Sequence, residues 1–160
     1  MNQNIDLTRV SPVSLVKNER GGGAQIRNTL LRVNMDSHVG LDYIVDNPDY
    51  CVKLASALDT ACTSVKKQVV ELLSALCVYS QDGRQRAIDT LHTYQERKGE
   101  RYRLRVVIDE LQKATAEDYQ TVLLAFINCL VISTPVLKDR IRIRNEFIGL
   151  KLLPILNELR

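Results

Sequence analysis

Polar and apolar positions alternate with helical rather than strand periodicity along most of this chain. The segment Lys66–Ser80, KKQVVELLSALCVYS, sets the problem. At about 100° per residue, Val65, Val69, Leu72, Leu73 and Leu76 fall on one side and predict a buried stripe. A second row, Lys67, Glu71, Ser74, Ala75 and Val78, takes roughly the opposite side. A second apolar segment, Thr121–Ile132 (TVLLAFINCLVI), repeats the arrangement. Leu123, Leu124, Phe126, Ile127, Leu130 and Val131 cover most of its circumference, while Thr121, Ala125, Asn128 and Ile132 align at i, i+4, i+7 and i+11. Two helices therefore each carry a core stripe and a second row rich in small side chains. Either the rows are close helix–helix contacts or they face a groove, and periodicity leaves both open.

The remaining elements follow from local signals. Ile26, Leu30 and Val33 have amphipathic helix spacing. Asn47-Pro48 reads as an N-cap and first-turn proline opening a helix to about Leu58. Thr63 or Ser64 starts the next helix, and Gln81-Asp82-Gly83 has the chemistry of a turn closing it. Helices are expected over 84–97 and over Arg101–Lys113, the latter with Leu104, Val107, Ile108 and Leu111 on one side. Thr115-Ala116-Glu117-Asp118 resembles a capping box with Asp in place of Glu. Thr134-Pro135 repeats the cap-then-proline signal, Gly149 punctuates the following helix, and Pro154 is a candidate kink in the last one, Leu150–Arg160. No segment alternates as a strand. Six to eight short helices, several apolar on more than one side, predict an all-α protein of stacked helical layers. An armadillo-repeat-like, right-handed superhelix fits this pattern, with inner helices that pack on their neighbours and present one row to a concave surface. The 54 residues separating Lys67 from Thr121 exceed the ~40–47 of a plain repeat, so an insertion or a long helix is expected between them.

Composition narrows the functional classes. At 160 residues the chain can bury a core without disulfides. No apolar run approaches the ~18 residues of a membrane span. The first 23 residues lack the pattern of a secretory signal and, closing in Gly21-Gly22-Gly23, read as a flexible leader. No Gly-Lys-Ser/Thr follows those glycines, which argues against a phosphate loop. Cys51, Cys62, Cys77 and Cys129 have neither metal nor redox-motif spacing, and reduced thiols in the cytosol are expected. A net charge of +3 is too small to imply nucleic acid unless it clusters. The one cluster, Lys138, Arg140, Arg142 and Arg144, reads as a solvated face because isoleucines rather than stacking aromatics interleave it. His38, before Val39-Gly40 at a helix end, and His92 stand in no ligand pattern. Neither has a readable nucleophile partner. Asp109 and Glu110 are adjacent and point apart, so solvated charges are expected rather than facing carboxylates. No enzyme activity, cofactor or metal is expected. A basic helical-repeat module holding nucleic acid and an inert helical scaffold are the alternatives to a protein-binding groove.

Several segments taken in order, VKKQVVELLSALCVYS, RYRLRVVIDEL, LLAFINCLVI and RIRIRNEFIGLKLLPILNELR, together with GLDYIVDNP and LASALDT, resemble the GTPase-binding and formin homology 3 region of formins, nearest to the inverted-formin branch. The resemblance covers roughly residues 30–160. It implies a leader over 1–23 and an armadillo-like diaphanous inhibitory domain over 24–160, truncated at its C-terminus and monomeric. Its partner would be an amphipathic autoregulatory helix, in cis or in trans, that restrains actin assembly. Rho-family GTPases relieve that restraint in the diaphanous-type members, although their N-terminal GTPase-binding subdomain has no counterpart in residues 1–23. The actin-nucleating domain, the profilin-binding stretch and the autoregulatory helix of formins are not in this sequence, so any link to actin is indirect, and the location expected is cytoplasmic and cytoskeletal. The resemblance places the family's groove alanine at Ala75, the aliphatic residue three positions on at Val78, and the groove asparagine at Asn128. Lys67 and Glu71 would then sit at the rim.

Overall fold

The computed structural model describes residues 38–160; the expected leader, the triple glycine and the helix expected at Ile26–Val33 lie outside the described residues. Among the described residues there are eight α-helices and no strand. They are α1 (His38–Asp46), α2 (Tyr50–Leu58), α3 (Thr63–Tyr79), α4 (Gln81–Lys98), α5 (Arg105–Lys113), α6 (Glu117–Ile132), α7 (Leu137–Gly149) and α8 (Leu152–Glu158). One hydrophobic core runs the length of the array, from Ile44 on α1 through Leu73 on α3 and Phe126 on α6 to Ile155 on α8.

The helices stack in layers. Helix α4 packs on α1, α2 and α3; α3 also packs on α6; α6 continues onto α5 and α7, and α5 onto α8. Cross-links fix the direction of the central pair. Lys67, near the start of α3, bonds Asp118 at the start of α6 at 2.7 Å. Gln81, just past the end of α3, donates to the Ser133 carbonyl, just past the end of α6, at 3.1 Å. Helices α3 and α6 therefore run parallel, which requires the chain to return through α4 and α5 between them. This is an armadillo-like stack, and the long α4 accounts for the wide interval between the two patterned segments.

Several local expectations change in three dimensions. Asn47 does not cap α2; its side-chain amide donates to the Tyr43 carbonyl and closes α1, and α2 begins at Tyr50. Gln81-Asp82-Gly83 is not a turn but the first turn of α4, because Ser80 alone makes the reversal. Its backbone is extended (φ −162°, ψ 168°), and its hydroxyl accepts from the Gly83 N–H at 2.9 Å. Gly83 is buried, and a Cβ there would lie 2.4 Å from the Leu76 carbonyl oxygen, so hydrogen is the only side chain that fits. Helix α5 begins at Arg105 rather than Arg101, after a turn through 101–104. The capping box before α6 does not form. Asp118 instead accepts from the adjacent Tyr119 N–H and from Lys67, a partner that only the fold supplies. Thr134 likewise caps nothing. Its buried hydroxyl donates to the Leu130 carbonyl and accepts from Arg84 Nε, and its carbonyl takes two bonds from Arg140. Pro154 sits in the first turn of α8, where a missing N–H breaks no helical bond, so no kink results. The left-handed residue at that junction is Lys151 (φ 68°), not Gly149. His38 opens α1 rather than ending a helix.

Candidate functional site

The two patterned rows lie on parallel neighbours, and all nine positions stand outside the fully buried core. Residues such as Val69, Leu73 and Leu76 on α3, and Leu123, Phe126 and Leu130 on α6, fill the core instead. On α3, Lys67, Glu71, Ser74 and Ala75 are half-buried and Val78 is 58% exposed. On α6, Thr121 and Asn128 are exposed, Ala125 is half-buried, and Ile132 is 73% exposed. Such exposure of two aliphatic side chains at the same end of a helix pair is uncompensated within the described residues. The chain leaving α6 adds Val136, Leu137 and Ile141, each about half exposed or more.

The opposite end of the rows is polar. The direct cross-link there among the described residues is Lys67–Asp118, whose bond lifts the pKa of the ammonium and holds the carboxyl below the usual aspartate range. Midway, Ser74 and Cys129 face one another across the contact. Glu71 is the anomaly. Burial pushes its carboxyl pKa upward, Lys67 opposes the shift and Asp118 adds to it. Among the described residues no hydrogen bond or ion pair reaches its oxygens.

Elsewhere the polar groups serve the scaffold. Glu110, expected to be solvated, is largely buried, binding Lys66 at 2.7 Å and accepting from the Tyr119 hydroxyl at 2.9 Å. Asp109 pairs with Arg105 one turn earlier. Arg140 is spent on Thr134, and Arg142 approaches Asp139 at 4.0 Å, so the basic strip has two of its four cations engaged. His92 is exposed, 3.5 Å from Arg103, which itself forks onto Glu146. No group of three potential metal ligands occurs among the described residues, and no helix of the described residues is long and apolar enough to cross a membrane. Cys51 and Cys77 are buried and Cys62 and Cys129 half-buried, and none of the four is in a disulfide among the described residues. Burial pushes the Cys77 thiol up to about 12.

Residues 84–160 match the family described as Diaphanous FH3 Domain. Inverted formin-2 of Xenopus laevis is 43% identical over 147 residues, covering 87% of this chain and 13% of that protein. The chain belongs to the formin FH3-type regions. Protein diaphanous homolog 2 of Homo sapiens is 32% identical over 132 residues, covering 80% of the chain and 12% of its own length, and Formin-H of Dictyostelium discoideum is 31% identical with similar coverage. The chain thus spans about one eighth of the length of these relatives. In this FH3-type region the partners Asp118, Glu110 and Thr134 escape sequence reading. Each meets residues about 45–50 positions away, and the only local sign is a polar residue among apolar neighbours.

Proposed function

We propose that this FH3-type region takes up an amphipathic helix in the trough between α3 and α6. In the longer formin the occupant is an autoregulatory helix, from the same chain or another, whose docking restrains actin filament assembly. The observation that carries the reading is the exposure of Val78 and Ile132 at one end of two parallel helices whose intervening positions are Ser74, Ala75 and Ala125. Small residues let a third helix approach closely, and a leucine-like anchor buried there contributes about 1.5–3 kcal/mol. Asn128 supplies an exposed amide for the ligand backbone. Residues 24–160 form the module in this reading, working in the cytoplasm at the cytoskeleton. Release by a Rho-family GTPase rests on the diaphanous-type likeness alone.

The test is capture of formin autoregulatory peptides by the full chain and by its Ala75→Asp form. A carboxylate introduced beneath an apolar anchor costs about 2 kcal/mol or more, a loss of some thirtyfold in affinity, without changing the helical circular dichroism. Unchanged capture by a folded Ala75→Asp protein would refute the trough. Binding that instead collapses with added salt, and ignores Ala75, would indicate a phosphate-contacting basic surface.

A further inference from the structure

Glu71 is a carboxylate held in a poor environment. Its neighbour one turn earlier, Lys67, is the natural cation for it, yet the Lys67 ammonium is committed to Asp118 at 2.7 Å. Lys67 still attracts the Glu71 carboxylate through space without bonding it, and Asp118 adds negative charge close by. Among the described residues nothing bonds the Glu71 oxygens, although the side chain is half-buried and flanked by the small and apolar positions of the trough. A half-desolvated acid that no described residue bonds directly is destabilised unless something further compensates it. The apolar end of the trough, Val78 and Ile132, lies seven residues further along α3, about 10.5 Å at 1.5 Å per residue.

We infer that Glu71 selects the partner helix by charge: the occupant carries a lysine or arginine two helical turns from the aliphatic anchor that sits against Val78 and Ile132. Positions i and i+7 share a face on a helix, so one ligand face presents both groups to the trough at the required separation. The cation closes an ion pair left open among the described residues, and the apolar anchor covers the exposed end. The pairing also fixes the direction of the ligand along the trough, since a reversed helix would place its cation on Val78 and its anchor on a carboxylate. The inference rests on the proposed trough and adds to it the chemistry of one ligand position.

The two readings separate in one titration. The probes are a synthetic amphipathic helix with two leucines at i and i+4 and one lysine seven residues from the first leucine, and its twin with glutamine for the lysine. Fluorescence anisotropy against the full chain, its Glu71→Gln form and its Ala75→Asp form supplies the affinities. The lysine peptide is expected to bind the native chain about five- to tenfold more tightly than the glutamine twin, with the preference abolished in Glu71→Gln. The glutamine twin should bind the Glu71→Gln chain at least as tightly as the native chain, and Ala75→Asp should lose both peptides. Equal affinity of the native chain for the two peptides, or a lysine preference that survives in Glu71→Gln, overturns the role of Glu71 while leaving the trough standing. Binding of both peptides by Ala75→Asp, or by neither form, removes the trough and the inference with it.

Discussion

At the scale of single residues, position 71 sets stability against the proposed recognition. Burial raises the carboxyl's pKa, so the folded state favours the protonated form. A group with a raised folded pKa contributes stability that is complete below its unfolded pKa and is lost as pH rises through the folded value. Glu71 therefore costs stability at neutral pH and ceases to cost it in acid. Replacing it by glutamine removes the ionisable group while keeping the shape. Urea unfolding at pH 7 should show Glu71→Gln to be more stable than the native chain, and the difference should disappear as the pH falls below about 4, the ordinary glutamate range. A substitution that raises stability yet weakens the binding of a cationic helix is the mark of a residue retained for its ligand. Equal stability at pH 7 would mean that Glu71 is adequately solvated and has no need of a cation.

At the scale of elements, the tightest feature is the one-residue reversal from α3 to α4. Ser80 ends the first helix and caps the second, and the first turn of α4 presses on the last carbonyls of α3 because Gly83 has no side chain. Together they set how α4 returns and hence where α6 can lie beside α3. Gly83→Ala would normally favour a helix; here its methyl would clash with the Leu76 carbonyl, which is backbone and cannot swing aside. The expected result is a loss of about 1–3 kcal/mol in urea denaturation, as for overpacking elsewhere. A gain in stability would show that the junction yields. The other end of α4 is closed in the more usual way, by Gly99 at φ 64° with Arg97 and Lys98 in the last turn.

Across the whole molecule, the layers are held by a few long-range polar ties around a continuous apolar core. Lys66 on α3, Glu110 on α5 and Tyr119 on α6 make one such tie, mostly out of contact with water. Because each layer leans on its neighbours, cutting a tie affects the array rather than one helix. Lys66→Met keeps the aliphatic stem and leaves Glu110 with the tyrosine hydroxyl alone. The loss should be about 1–3 kcal/mol, read from thermal or urea unfolding. Since Lys66 bonds Glu110 rather than joining the Lys67–Asp118 pair of the proposed trough, peptide binding by the folded variant should be unchanged. A variant that binds poorly while retaining full stability would place Lys66 in the site instead.

The helices themselves were legible in the chain because a repeat of 3.6 is a local property: VVELLSALCV and LLAFINCLVI reveal a core stripe and a second row before any contact is known. The resemblance to formins rested on the same local strings. The boundaries at Asn47, Gln81, Thr115 and Thr134 depart from their local signals where a polar residue or glycine finds a better partner than its own helix end, a competition that propensity does not encode. The sequence alone determined which residues share a helix face. Only tertiary structure decided that α3 and α6 run parallel, that the Lys67 ammonium bonds Asp118, and that no described residue makes a direct ion pair with Glu71. Such pairings join residues some fifty positions apart, and their energy depends on distance and burial, which no local pattern encodes.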